Sequence, residues 1–149
     1  MQITYSLKPR ARDNIAALQV EISKLPQYEP ETKHYFHAGM YCREVFRHAG
    51  VVVVGKVHKK EHFYLVVSGT VRITDGEGNA QEVTGPHLFL SKPGTKRAVY
   101  ALTDTVCMTF HATQAVTVED AEAQLVEDDP TAMFSIGNTV KDTQIEVSP

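Results

Sequence analysis

Between residues 34 and 111 the sequence is punctuated by Gly, Pro, Asp or Asn about every ten residues, and the runs between are rich in Val, Thr, Phe and Tyr. The runs are YCREVFR, VVVVGKVH, HFYLVVSG, TVRITD, AQEVTG, HLFLS, RAVYAL and TVCMTFH. Nothing helical lies among them that could carry a parallel crossover. Short strands joined by turn chemistry therefore predict an all-β antiparallel sandwich or small barrel. DGEGN at 75–79 and LTDT at 102–105 are the clearest hairpin turns.

The flanks read differently. Residues 11–25, ARDNIAALQVEISKL, place Ile15, Leu18, Ile22 and Leu25 at helical spacing, with Asp13 or Asn14 as cap and Pro26 as stop. PQYEPETK reads as a linker into the β region. VEDAEAQLVE at 118–127 predicts a second short helix packed outside the barrel, and the end, KDTQIEVSP, reads as a loose tail. A chain of 149 residues arranged this way is a single domain over 1–149, with the barrel at about 38–112 and the C-terminal helix and acidic tail at 118–149. From residue 119 onward eight acidic side chains face Lys141 alone, a net of −7 that leaves +4 on the first 118 residues. An acidic segment on a mildly basic body speaks against a nucleic-acid surface. No apolar run approaches the roughly 18 residues needed to span a bilayer, and the start has no apolar signal-peptide centre, so a cytoplasmic location is expected. Cys42 and Cys107 offer neither a disulfide framework nor a CxxC zinc site. GxSxG, GxxxxGK[ST], HExxH and GxGxxG are absent, which removes support for the chemistries they carry.

The informative stretch is GKVHKKEHFYLVVSG, residues 55–69. His58 and His62 are four apart, but β-branched and aromatic neighbours predict strand, tight bend and strand. Across the KKE bend both rings point to one face, as a metal site on a barrel's inner wall requires. This segment resembles the first motif of the cupin superfamily: Gly, five residues, His-x-His, three or four residues, Glu, six residues, Gly. Aligned on Gly69, His62 falls on the family's Glu, His58 on its second His and Lys56 on its first. Ser91-Lys-Pro93-Gly94-Thr-Lys-Arg97 is similar to the second motif, Pro-x-Gly-x-x-His, and puts Arg97 where the last histidine would stand. Only His58 carries a family ligand over unchanged. The wording of 55–69, SKPGTKRAVYA and DTVCMTFHAT, together with the LPQ stretch and the HAGMYCREVF entry, looks like a group of small cupins common in bacteriophage and prophage genomes. The resemblance implies a cupin-type antiparallel jelly-roll β-barrel, and a homodimer that exchanges the 11–25 helix or the acidic tail. For a phage-encoded chain the location would be the bacterial host cell.

A turn centred on Asp104 would pair residues equidistant from it, setting Arg97 opposite His111 and aiming His111 into the same site. His58, His62 and His111 are then the candidate ligands of a divalent metal, with zinc, iron, nickel and manganese all admissible. Strict alternation puts Lys56 on the face of His58, so Lys56 and Arg97 would be two cations beside the site. They favour a small anionic ligand as partner. Tyr64 alternates inward as a substrate contact, proton donor or core filler, and Glu61 is the one carboxylate near the histidines, although alternation turns it away. These two are the catalytic candidates. His34, His37, His48 and His87 read as loop or surface residues. The leading reading is a metal site that binds, and on one view transforms by dioxygenase, isomerase or lyase chemistry, a small anionic molecule. The alternatives are a non-catalytic binder of an anionic metabolite or nucleotide, or a structural part of a viral assembly.

Overall fold

The structure, a computed structural model, describes residues 9–74 and 79–141, of which 9–13 are described by backbone alone. The turn at 75–78 and the tail from 142 onward lie outside the described residues. A first helix α1 (Pro9–Ser23) is followed by nine strands: β1 (Glu31–His37), β2 (Met40–Arg47), β3 (Val52–Val54), β4 (His62–Ser68), β5 (Thr70–Thr74), β6 (Ala80–Thr84), β7 (His87–Ser91), β8 (Ala98–Ala101) and β9 (Thr105–Ala112). Then come α2 (Val118–Leu125), a two-stranded ribbon of β10 (Phe134–Ser135) and β11 (Thr139–Val140), and a single 3₁₀ turn between the ribbon strands. Two antiparallel sheets, ordered β1-β2-β9-β4-β7 and β3-β8-β5-β6, face each other as the expected jelly roll.

Three sequence expectations are corrected. PQYEPETK reads as linker, but its last three residues, 31–33, already belong to β1. The residues of β1 alternate between exposed and half-buried and none is fully buried, so this edge strand shows little hydrophobic alternation. Helix α1 begins at Pro9, a favoured first helical residue, which places Asp13 and Asn14 inside the helix instead of at its cap. Its buried stripe is Ile15, Gln19 and Ile22, while Leu18 and Leu25 are exposed. Gln19 can sit inside because its amide donates to the Thr131 carbonyl (2.6 Å) and hydroxyl (3.1 Å).

The third correction concerns the pairing of the last two barrel strands. β8 pairs with β3 and β5, and β9 with β2 and β4, so Arg97 and His111 belong to different sheets. LTDT changes sheets rather than folding back as a hairpin, which adjacency in sequence cannot reveal.

Gly69 closes the first motif for a steric reason. Its φ is +87°, and a Cβ there would collide with the Asp104 carbonyl oxygen.

One part of the lumen is filled by Val53, Val66, Val71, Ile73, Val83, Val99 and Cys107. α1 lays Ile15 and Ile22 on Val54, Ala98 and Met133. α2 lies over the other part, packing Ala121 and Leu125 against Tyr41. Among the described residues no helix is long and apolar enough to cross a membrane.

Candidate functional site in the barrel lumen

Strand parity decides which side chains enter the lumen. On β2 the inward residues are Tyr41, Arg43, Val45 and Arg47, and their partners on β9 are His111, Thr109, Cys107 and Thr105. Phe63 pairs with Phe110, so continuing that register by one residue sets His62 beside His111. His58 arrives from the segment before β4, where its backbone N–H donates to the Thr95 carbonyl (3.0 Å) and its carbonyl accepts from Gly94 (2.7 Å). α2 pins the same segment: Lys59 N–H donates to Leu125 O, and Glu127 N–H to Val57 O, both at 2.8 Å.

The three predicted imidazoles meet. Ring centroids are 4.3 Å apart for His58 and His62, 4.6 Å for His62 and His111, and 5.5 Å for His58 and His111. His111 arrives by its parity on β9, not by the hairpin proposed from sequence.

Burial depresses all three histidines. It is the largest cause for His58, held well below its usual value with the neighbouring His62 and His111 adding to it. Burial also lowers His62 to about 4, with Arg97 adding to it and the Lys60 carbonyl opposing it. His111 falls to about 3 through burial, then His62 and Arg43. All three are neutral at pH 7, the state in which imidazole ligates a metal. Lys60 O lies 3.3 Å from His62 Nδ1, so Nδ1 carries the proton and Nε2 keeps its lone pair. His111 Nδ1 is buried without a hydrogen-bond partner. Among the described residues no group of three or more His, Cys, Asp or Glu side chains stands at metal-holding separation. The rings form a cluster of suitable donors, not a closed coordination sphere.

A cavity of about 110 Å³ adjoins the cluster, and His58, His62 and Tyr64 line it while His111 stands behind. Its charged lining residues are Arg43, Arg47, Lys56, Arg97 and Glu122. Four cations against one carboxylate leave it strongly positive. Lys56 and Arg97 both reach it, as expected, but Lys56 is not an unanswered charge: Glu122 meets Lys56 and Arg43, each at 3.3 Å, and accepts from the Gly137 N–H. The Arg97 guanidinium lies over the rings of Tyr64 and Phe89, 5.5 and 5.1 Å from their centroids. Burial raises the Tyr64 phenol, so it is a neutral donor. Glu61 is not brought in: it pairs with Lys92 at 3.1 Å on the exposed side. His34, read as a surface residue, in fact touches the Tyr41 hydroxyl through Nδ1 at 2.6 Å, and that hydroxyl also accepts from Arg43 Nε.

Sequence reasoning missed Arg43, Arg47 and Glu122. In MYCREVFR both parities carry charged and aromatic residues, so alternation alone does not say which face is internal. Glu122 sits in the most acidic stretch of the chain, but it shares a helical face with Ala121 and Leu125, and that spacing was the available signal.

No protein-family model matches the chain, and no curated protein matches it. Solved structures do. A salicylate 1,2-dioxygenase from Pseudoaminobacter salicylatoxidans, determined with gentisate, is 13% identical with a TM-score of 0.54 over 86% of this chain, which spans only 40% of that enzyme. KdgF from a Halomonas species is 17% identical with a TM-score of 0.50, covering 59% of this chain and 84% of its own. An RmlC-like cupin from Shewanella frigidimarina is 13% identical with a TM-score of 0.49, covering 55% of this chain and 74% of its own. Identities this low speak to the fold alone, and the fold is the cupin-type jelly roll.

Proposed function

We propose that the lumen holds a divalent metal ion on His58, His62 and His111 and uses it to bind a small anionic molecule. The observation that carries this reading is the meeting of three neutral imidazoles, two from residues 55–69 and one from β9, beside a cavity whose charged residues are four cations and one carboxylate. A bound metal would supply a Lewis acid that polarises a carboxylate or enolate oxygen. The chain's own residues do the rest. Arg97 and Lys56 stabilise negative charge on the ligand, Tyr64 offers a neutral O–H, and the roof formed by α2 restricts water. Glu61 has no part in this scheme. Dioxygenase, isomerase and lyase chemistry remain equal candidates for any turnover, and zinc, iron, nickel and manganese for the metal.

Metal content of protein purified without a polyhistidine tag tests the reading. Stoichiometric metal in the parent, lost in His58→Ala and His62→Ala, is expected. Retention in both variants would overturn it. A second reading, anion capture without metal, draws on the excess of lining cations and predicts that the same anions bind equally well after chelation.

We also assign a homodimer, through the outer face of the five-stranded sheet. One rung across it is Tyr35, Cys42, Phe110, Phe63 and Leu90, and the next is Lys33, Glu44, Met108, Leu65 and Leu88, apolar on its last three strands. Phe63, Leu88 and Leu90 are 48%, 51% and 66% exposed. Five strands at about 4.8 Å spacing and about 23 Å long give a face of about 550 Å², below the ~800 Å² per partner of a standard complex and in the range of weaker, transient ones. The exchanged helix expected from the resemblance is not needed here, since α1 already covers its own barrel. A phage or prophage origin, and with it a location in the bacterial host cell, rests on the wording of residues 55–69 and their companions. Gene neighbourhood and cell fractionation test those two readings.

A further inference from the structure

Arg47 is 8% exposed and lines the cavity two inward positions further along β2 from Arg43. Unlike Arg43 and Lys56, it has no carboxylate partner among the described residues, and its Nε and Nη1 lack hydrogen-bond partners. Two buried hydroxyls beside it likewise make no hydrogen bond of ordinary geometry: Tyr64 Oη, which lies close enough to interact with the Arg47 guanidinium and the Cys107 thiol, and Thr105 Oγ1, directly across the ladder from Arg47. A buried guanidinium with open N–H groups is costly, because desolvation is repaid only when a charged acceptor completes its fork. Orphan donors this close together are uncommon in a folded interior and call for an acceptor from outside the chain.

We propose that Arg47, with Tyr64, forms a carboxylate subsite in the lumen, apart from the imidazole cluster, and that the ligand is therefore a small carboxylate bound by that group. The planar fork of Arg47 presents two parallel N–H groups to the two carboxylate oxygens, and the Tyr64 O–H adds a third donor from the neighbouring wall. Glu122 cannot serve as this acceptor, since its oxygens are engaged by Arg43, Lys56 and Gly137. The inference deepens the function proposed above by naming the ligand class. It rests on that reading only for where the ligand's other end goes.

Titration with sodium acetate, followed through the Arg47 Nε–H resonance by ¹H–¹⁵N NMR, tests it, with acetamide as the uncharged control. The full chain is used both metal-loaded and after chelation. Acetate is expected to shift that resonance saturably in both states, and acetamide to leave it unmoved. Arg47→Met should weaken acetate binding at least about tenfold, Arg47→Lys, which keeps the charge but loses the fork, roughly fivefold, and Tyr64→Phe roughly threefold. Because Arg47→Met removes an unpaired buried charge at similar length, its melting temperature should hold or rise. Unfolding of that variant would overturn the proposal by showing that the chain already answers the charge. Unchanged acetate affinity in folded Arg47→Met or Arg47→Lys would overturn it too. Acetate binding that survives chelation while metal never binds would remove the metal reading and leave this subsite standing.

Discussion

Beside the buried Val45, Val66 and Cys107, the inner face of the five-stranded sheet carries more charge than an ordinary core, and beside the Lys33–Glu44 pair its outer face carries more exposed hydrocarbon than an ordinary surface. The inner face holds His62, His111, Arg43, Arg47 and Tyr64, while the outer face holds Phe63, Leu65, Phe110, Leu88 and Leu90. The opposite sheet behaves conventionally, sending Val71, Ile73 and Val99 inward with almost no exposure. Alternation fixes which residues share a face, but burial of apolar area cannot explain charges inside and hydrocarbon outside. Polar groups in a lumen are retained for what they bind, and an exposed apolar sheet face for what covers it.

The largest change should come from the inner face. Glu122→Gln leaves Arg43 and Lys56 without the carboxylate that answers both. Breaking a buried pair by removing one partner costs about 3 kcal/mol or more. The denaturation midpoint in urea should fall accordingly. If Glu122→Gln matched the parent, the network would be ornamental and the inner face merely tolerant of charge.

Next, His111→Ala should weaken metal binding by roughly 100-fold, at or beyond the upper end of the 10–100-fold seen for outer-shell partners. Competition against a chromophoric chelator reads this directly. His111 stands outside the cavity lining, so an unchanged affinity would leave His58 and His62 as the only ligands among the three.

On the outer face, Phe63→Glu or Leu90→Glu should raise the dimer dissociation constant by at least about tenfold, since each buries a charge in an apolar contact. Light scattering across a dilution series would show it. A parent that stays monomeric at high concentration would mean that the exposed rungs serve no second copy.

The smallest effect is with pH. In the metal-free protein His62 and His111 titrate near 4 and 3, below the ordinary 6.5, so the unfolded chain binds protons that the folded chain does not. Stability is complete above about pH 6.5 and falls as pH drops through the window toward 4 and 3. Urea midpoints from pH 7 to 4 should decline, less steeply in His111→Gln. A flat profile would mean the rings are not buried as neutral groups.

Much of this was legible from residues. Gly, Pro, Asp and Asn punctuation marked all eight barrel runs, and the KKE bend brought His58 and His62 together. Where the reading failed, the missing information was tertiary. β1 alternates too weakly to announce itself at an edge, and Leu18 yielded its place in the α1 stripe to a hydrogen-bonded Gln19. The β8–β9 pairing was wrong because a short connection gives no sign that it changes sheets. His111 still reached the site, because parity within β9 survives an error about its neighbour. Arg47 and Glu122 stayed hidden because a lone charge in a run looks the same whether its face is wet or internal.

X-ray absorption at the edge of the loaded metal is the most direct measurement. Three imidazole nitrogens at about 2.0–2.1 Å, with the outer-shell scattering of histidine rings and loss of one ring in His111→Ala, are the expected result. A first shell made of oxygen alone, unchanged in the histidine variants, would contradict the account.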